Sequence, residues 1–146
     1  MNCYCSPPAT KVLNLLVAGL DENNRAKKID NAPGSFMAVH IEFLGHDAAN
    51  GGDQFSVAHY YEQNGDLMRD PDVVFIRQVN EQASSEADRF IFMPISFQQD
   101  NLGIYNEFFT YDEGGKIQGV RTRMQRDCVS FCSVWLRNIK HQQRLF

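Results

Sequence analysis

Apolar positions recur with two different periods along the chain. After Ser6-Pro7-Pro8, a helix-starting signal, Leu13, Leu16, Val17 and Leu20 fall on one face of a helix predicted from Ala9 to Leu20. Residues 21–35, with Asn23-Asn24, Lys27-Lys28 and Asn31-Ala32-Pro33-Gly34, read as a connecting loop. From Phe36 to Leu44 the period drops to two. Met37, Val39, Ile41 and Phe43 take one face, while His40 and Glu42 take the other as solvated polar positions. A loop rich in Gly and Asn spans 45–53. A second strand is predicted from Phe55 to Gln63 and a third from Asp66 or Leu67 to about Val79, hinged on Asn64-Gly65. Both hinge residues tolerate positive φ, the requirement of a tight hairpin.

Pro71 removes a ladder donor, so that part of the third strand is expected at an edge or in a bulge. Asn80 to Arg89 is polar and reads as a mobile loop. A fourth strand is predicted from Phe90 to Phe97 and a fifth from Ile104 to Tyr111, closed by Asp112-Glu113-Gly114-Gly115, with Lys116 to Val120 as an extension of that hairpin. From about Thr122 to Leu145 the period becomes helical again. Met124, Cys128, Phe131, Cys132, Trp135, Leu136 and Ile139 form the stripe expected to pack on the sheet. The expectation is an α+β fold: a five-stranded, at most six-stranded, antiparallel sheet with an N-terminal and a C-terminal helix on one face.

At 146 residues, 43% hydrophobic and 22% charged, the chain suits a single ordered domain, with residues 1–9 as a flexible N-terminal extension. No apolar run approaches the roughly 20 residues that span a bilayer, so a cytoplasmic location is expected. The net charge of −4 conceals an asymmetry. Residues 1–118 carry 8 Lys and Arg against 17 Asp and Glu, while residues 119–146 carry 6 against 1. An acidic body argues against broad coating of DNA and leaves room for a basic partner.

The hairpin gathers the densest candidate chemistry. In a strict two-residue loop Gln63 pairs with Asp66, Tyr61 with Met68, Tyr60 with Arg69 and His59 with Asp70. A three-residue loop shifts this by one and sets His59 against Pro71. An imidazole beside a carboxylate can exchange protons, and Asp66, Asp70 and Asp72 invite a divalent cation if they converge. Asp and Pro at such positions more often serve turns and edge protection, and His59 shares a face with Phe55, Val57 and Tyr61, as a hydrogen-bonded histidine at the core margin does. No P-loop, dinucleotide fingerprint, nucleophile elbow or HExxH occurs, so no catalytic residue, metal ligand or cofactor is assigned.

Cys3, Cys5, Cys128 and Cys132 would make a four-thiolate site only if the N-terminus packed on the last helix, whereas Cys128 and Cys132 lie on its apolar stripe as small hydrophobes. On the same helix Arg123, Arg126, Arg137, Lys140 and Arg144 line a basic face suited to phosphates or to an acidic groove. Tyr60, Tyr61, Tyr105, Phe109 and Tyr111 are candidates for an exposed aromatic patch.

Four segments carry a resemblance: Ile29-Asp30-Asn31-Ala32-Pro33-Gly34, the hairpin from His59 to Phe75, Ser96-Phe97-Gln98-Gln99-Asp100-Asn101-Leu102-Gly103 and Asn138-Ile139-Lys140-His141-Gln142-Gln143. From about residue 10 onward the chain resembles a family of small uncharacterised proteins carried on phages, plasmids and conjugative elements of Gram-positive gut bacteria. The resemblance implies an accessory protein that counters host defence, of the anti-CRISPR kind. It supplies no catalytic residues. The resulting expectation is a non-enzymatic protein that binds and inhibits a host defence complex such as an RNA-guided nuclease. Glu62, Asp66, Asp70 and Asp72 would contact the basic channel or motif-reading arginines, with Tyr60 and Arg69 as anchors. The alternatives are a nucleic-acid-binding protein using Arg123, Arg126, Arg137, Lys140 and Arg144, and a metal-dependent hydrolase centred on the 59–72 hairpin.

Overall fold

The structure, a computed structural model, describes residues 2–146. Helix α1 (Pro7–Val17) starts where Ser6 accepts the Ala9 amide and prolines fill the next two positions, whose missing N–H groups would have had no helical partner. Its face of Ala9, Val12, Leu13, Leu16 and Val17 is buried. Gly19, at φ 81°, turns the chain out of the helix. Six strands then form one antiparallel sheet in chain order: β1 (Ala26–Ile29), β2 (Val39–Asp47), β3 (Gly52–Gln63), β4 (Asp66–Val79), β5 (Phe90–Gln99) and β6 (Ile104–Glu107). A separate two-stranded sheet pairs β7 (Phe109–Tyr111) with β8 (Ile117–Val120), and α2 (Thr122–Gln142) completes the chain.

The α+β architecture with a helix at each end is as the sequence led us to expect; the strand inventory differs. β1 lies inside the segment read as a loop. Its Ala-Lys-Lys-Ile sequence has too little apolar alternation to announce a strand, and it is held as an edge against β2. β2 begins at Val39 rather than Phe36 and runs to Asp47, so the connection to β3 is a single 3-10 turn, Ala48–Asn50, and Gly51. The fifth predicted strand breaks at Phe108, a fully buried side chain; its second part, β7, pairs with β8 in the hairpin expected of residues 116–120, but in a sheet of its own. The β7–β8 hairpin is tied to the 3-10 turn by Asn50, which donates to the Gly115 carbonyl and accepts the Ile117 amide.

Register divides the sheet into two faces. Ile41, Val57, Val73 and Phe97 stand in one cross-strand row, and Phe43, Phe55, Phe75 and Pro94 in the next, all facing the helices. Phe43 and Phe55 meet edge to face at 5.5 Å, an arrangement aromatic quadrupoles favour. Both helices contact the sheet and each other on this side.

α2 corrects part of the expected stripe. Cys128, Cys132, Trp135, Leu136 and Ile139 are buried, but Met124 and Phe131 sit on an exposed shoulder, and Gln125 is fully buried in their stead. Gln125 earns its place by hydrogen bonds: it accepts the Cys3 amide and donates to the Pro94 carbonyl. The Cys3 contact, the Cys5 amide donating to Phe92 and the burial of Cys5 seat the N-terminal residues on the fold, where the sequence suggested a free extension. No helix among the described residues is long and apolar enough to cross a membrane.

Candidate partner-binding face

The face of the sheet turned away from the helices carries the candidate site. Two rows run across all six strands in strict register: Lys28, His40, Ala58, Asp72, Gln98 and Tyr105, then Ala26, Glu42, Ser56, Val74, Ser96 and Glu107. Small side chains occupy the centre on β3, and polar or aromatic ones surround them. Tyr60 and Arg69, paired one step toward the hairpin tip, close the group on that side.

The hairpin itself settles which register holds. Asn64 (φ 53°) and Gly65 (φ 86°) form the two-residue turn, and Gln63 pairs with Asp66, Tyr61 with Met68 and Tyr60 with Arg69. Beyond these pairs the ladder slips: Ala58 faces Asp72, leaving His59 alone opposite both Asp70 and Pro71. Pro71 thus sits in a bulge of an inner strand, one of the two places a proline without an amide proton can occupy. The bulge rotates Asp72 onto the open face beside Arg69, three residues away.

Asp72 is the electrostatic centre of this face. Ser56 donates to its carboxylate at 2.6 Å, and Arg69 approaches at 3.9 Å. Burial holds its pKa above the ordinary carboxylate value, against the lowering exerted by the Ser56 hydrogen bond and by Arg69; neighbouring Asp100 raises it further. Asp100 reaches in from the β5–β6 turn, accepting the Arg69 amide at 2.7 Å and its guanidinium at 3.5 Å. Two carboxylates therefore share one arginine, with Glu42 and Glu107 in the adjacent row. Tyr60 packs edge-on to His40 at 5.1 Å, and burial, then Asp72, keeps its phenol protonated at still higher pH than usual. Tyr105 is well exposed and donates to Glu107 at 2.7 Å. An acidic, hydrogen-bonding floor with exposed phenolic edges is suited to receive a lysine or arginine from a partner.

Of the sequence candidates, Tyr60, Arg69 and Asp72 are brought together here, and Glu62 shares their face nearer the tip. Asp66 pairs with Gln63 at the turn, on the opposite side, and Asp70 accepts Gln99 Nε2 at 3.0 Å. Asp66, Asp70 and Asp72 therefore point in different directions and do not form the converging cation site the hydrolase reading requires. His59 is buried at the core margin, where Trp135 Nε1 donates to its Nδ1 at 3.3 Å; its Nε2 has no partner. Burial, the leading cause, depresses its pKa.

Cys5, Cys128 and Cys132 do meet beneath the helices, with the last two sulphurs 4.0 Å apart. Burial, followed by the proximity of Cys128, pushes the Cys5 thiol up to about 12, and the Cys132 thiol is raised by its hydrogen bond to Cys128 and by burial. Thiols so placed stay protonated and pack as hydrophobes. Arg123 and Arg126 project from the start of α2, whereas Arg137 and Lys140 border a cleft near its end and Arg144 lies beyond it. Phe109 is buried, leaving Tyr105 and Tyr111 as the exposed members of the aromatic set.

Sequence reasoning missed Ser56, Gln98, Asp100 and Glu107 as members of one site. Strand alternation indicates which way each side chain points, but not which strands are neighbours. It also missed a row of ion partners at the opposite end of the sheet. There Asp53 accepts from His46 Nδ1 at 2.6 Å and from Arg77 at 3.1 Å, because the short β2–β3 turn sets it beside His46 and the β3–β4 ladder beside Arg77. The sequence model of the family described as Domain of unknown function (DUF6908) matches residues 10–145, and the chain belongs to that family. No curated protein and no solved structure matches the chain.

Proposed function

We propose that this member of a family without an assigned activity is a non-enzymatic binding protein that docks a cationic protein surface on the open face of its sheet. The observation that carries this reading is Asp72. A part-buried carboxylate that takes a hydrogen bond from Ser56 and shares Arg69 with Asp100 leaves negative charge in excess on the face turned away from the helices. A partner's lysine or arginine inserted beside Asp72 and Asp100 neutralises the surplus negative charge around Arg69. Glu62 and the acidic hairpin tip extend the same field outward and steer encounter.

The mobile-element resemblance supplies the class of partner: a host defence complex, with an RNA-guided nuclease as the leading candidate. Such enzymes hold nucleic acid in a positively charged channel, and an acidic sheet face with a projecting hairpin is suited to occlude it. The test is target cleavage by such a nuclease with the pure protein in excess. Cleavage is expected to fall, and the Glu62→Lys/Asp100→Lys double variant is expected to restore it. Undiminished cleavage removes that nuclease as the partner. The alternative, nucleic-acid binding, draws on exposed Arg123 and Arg126; it requires binding that weakens steeply with salt and with their charge reversal.

A further inference from the structure

A cleft lies on the side of the molecule opposite the open sheet face. The start of α1, the end of α2 and the 80–88 connection between β4 and β5 enclose a cleft of about 890 Å³, within the size range of small-molecule sites. Lys11, Arg137 and Lys140 border it, together with His141, and Asp88 is the one acidic side chain in its wall. In a chain of net charge −4, these three basic side chains have no carboxylate within ion-pair distance among the described residues. The two lysines rest instead on the ring of Phe146, at 4.6 and 4.4 Å from its centroid. Cation–π contact positions an ammonium without neutralising it.

The floor is different in kind. Pro7, Val12, Phe90 and Ile91 present carbon surface, while Ser6 and Ser133 approach each other at 3.4 Å where the helices meet. The helix N-terminus contributes no free donor: Pro7 and Pro8 have no amide proton, and the Ala9 amide is taken by Ser6. Attraction for an anion therefore comes from the side chains alone.

We propose that this cleft binds a small organic phosphate of nucleotide size, its phosphates held by Lys11, Arg137 and Lys140 and its less polar body lying on the apolar floor. Guanidinium and ammonium groups converging on one volume suit a compact multiply charged anion. An extended nucleic-acid backbone would need the cations spread along a track, but Arg123 and Arg126 stand at the far end of a 21-residue helix. This site is independent of the open sheet face, so failure of either leaves the other standing.

Calorimetric titration of the full chain with ATP, adenosine, inorganic pyrophosphate and a single-stranded oligonucleotide tests it. ATP is expected to bind at least about tenfold more tightly than adenosine, and Arg137→Ala/Lys140→Ala to weaken ATP by about tenfold or more, the loss of roughly 1.4 kcal/mol of contact. Arg137 is exposed and Lys140 half-buried, and neither has an ion-pair partner among the described residues, so the variant's melting temperature should stay close to the parent's. Glu62→Lys, on the sheet side, should leave ATP binding unchanged. Absence of ATP binding at millimolar concentration, or binding indifferent to the double variant, overturns the proposal. Tighter binding of the oligonucleotide than of any mononucleotide also overturns it, in favour of a nucleic-acid surface.

Discussion

Two cross-strand rows lie one residue apart and face opposite ways. Ile41, Val57, Val73 and Phe97 look toward the helices, while His40, Ala58, Asp72 and Gln98 look away from them. The first row could be rebuilt from other apolar side chains of matching volume with modest loss. The second, with the Tyr60–Arg69 pair beside it, brings together a part-buried carboxylate, an arginine shared between two acids and two tyrosines. On the proposed reading, one strand pattern serves packing on one face and recognition on the other, and perturbations should separate the two.

The largest effect belongs to the covered face. Phe75→Ala removes a fully buried ring from the centre of the sheet and should cost about 3–5 kcal/mol in urea unfolding. If a comparable loss followed Tyr105→Ala on the open face, the distinction between the faces would fail. Next comes Gln125→Leu, which deprives the Cys3 amide and the Pro94 carbonyl of their buried partner, at about 1–3 kcal/mol.

Acidification should expose the cost of keeping His59 neutral. Its folded pKa lies below the usual 6.5, so between those values the unfolded chain binds the extra proton. Stability is therefore complete above pH 6.5 and falls as pH drops below it. His40, also depressed chiefly by burial, adds a loss of the same sign. Urea midpoints at neutral pH and near pH 5 should differ less in His59→Gln, which keeps an acceptor for Trp135; an unchanged difference would show that His59 is not responsible.

Asp72 has the opposite sign. Its folded pKa is raised above 3.8, so the folded protein holds the proton more firmly, and stability is lost as pH rises from 3.8 through the folded value. Asp72→Asn should therefore keep or slightly raise the melting temperature at neutral pH, a gain of about 1 kcal/mol or less, while weakening partner binding. A clear loss of stability would mark Asp72 as a structural group. Smallest of all, Glu62→Lys at the exposed tip should change stability by no more than about 0.5 kcal/mol.

Much of this contrast was legible in the chain. The alternation of Val39, Ile41 and Phe43 with His40 and Glu42 announced a two-faced strand, and Asn64-Gly65 located the hairpin, but its register stayed open between two loop lengths until the Tyr60–Arg69 pair was seen. Pro71 signalled an edge or a bulge, and the bulge is what forms. The assembly of the site was not legible, because it depends on strand order: Gln98 and Glu107 join Asp72 and Val74 only through the β4–β5–β6 ladder, and Asp100 reaches Arg69 from a turn 31 residues away. Gln125 was likewise invisible, since a glutamine on an apolar stripe reads as an interruption until its two buried partners are known. β1 was hidden by its lysines, whose polarity belongs to an edge.

The most direct measurement is the affinity of a host protein captured by the parent chain, compared between two charge-reversal variants: Glu62→Lys/Asp100→Lys on the sheet face, and Arg137→Glu/Lys140→Glu on the helix side. The open-face account expects the first to weaken binding by about tenfold or more and the second to leave it within about twofold. Loss of affinity in the helix-side variant, with the sheet-face variant binding as the parent does, would contradict it.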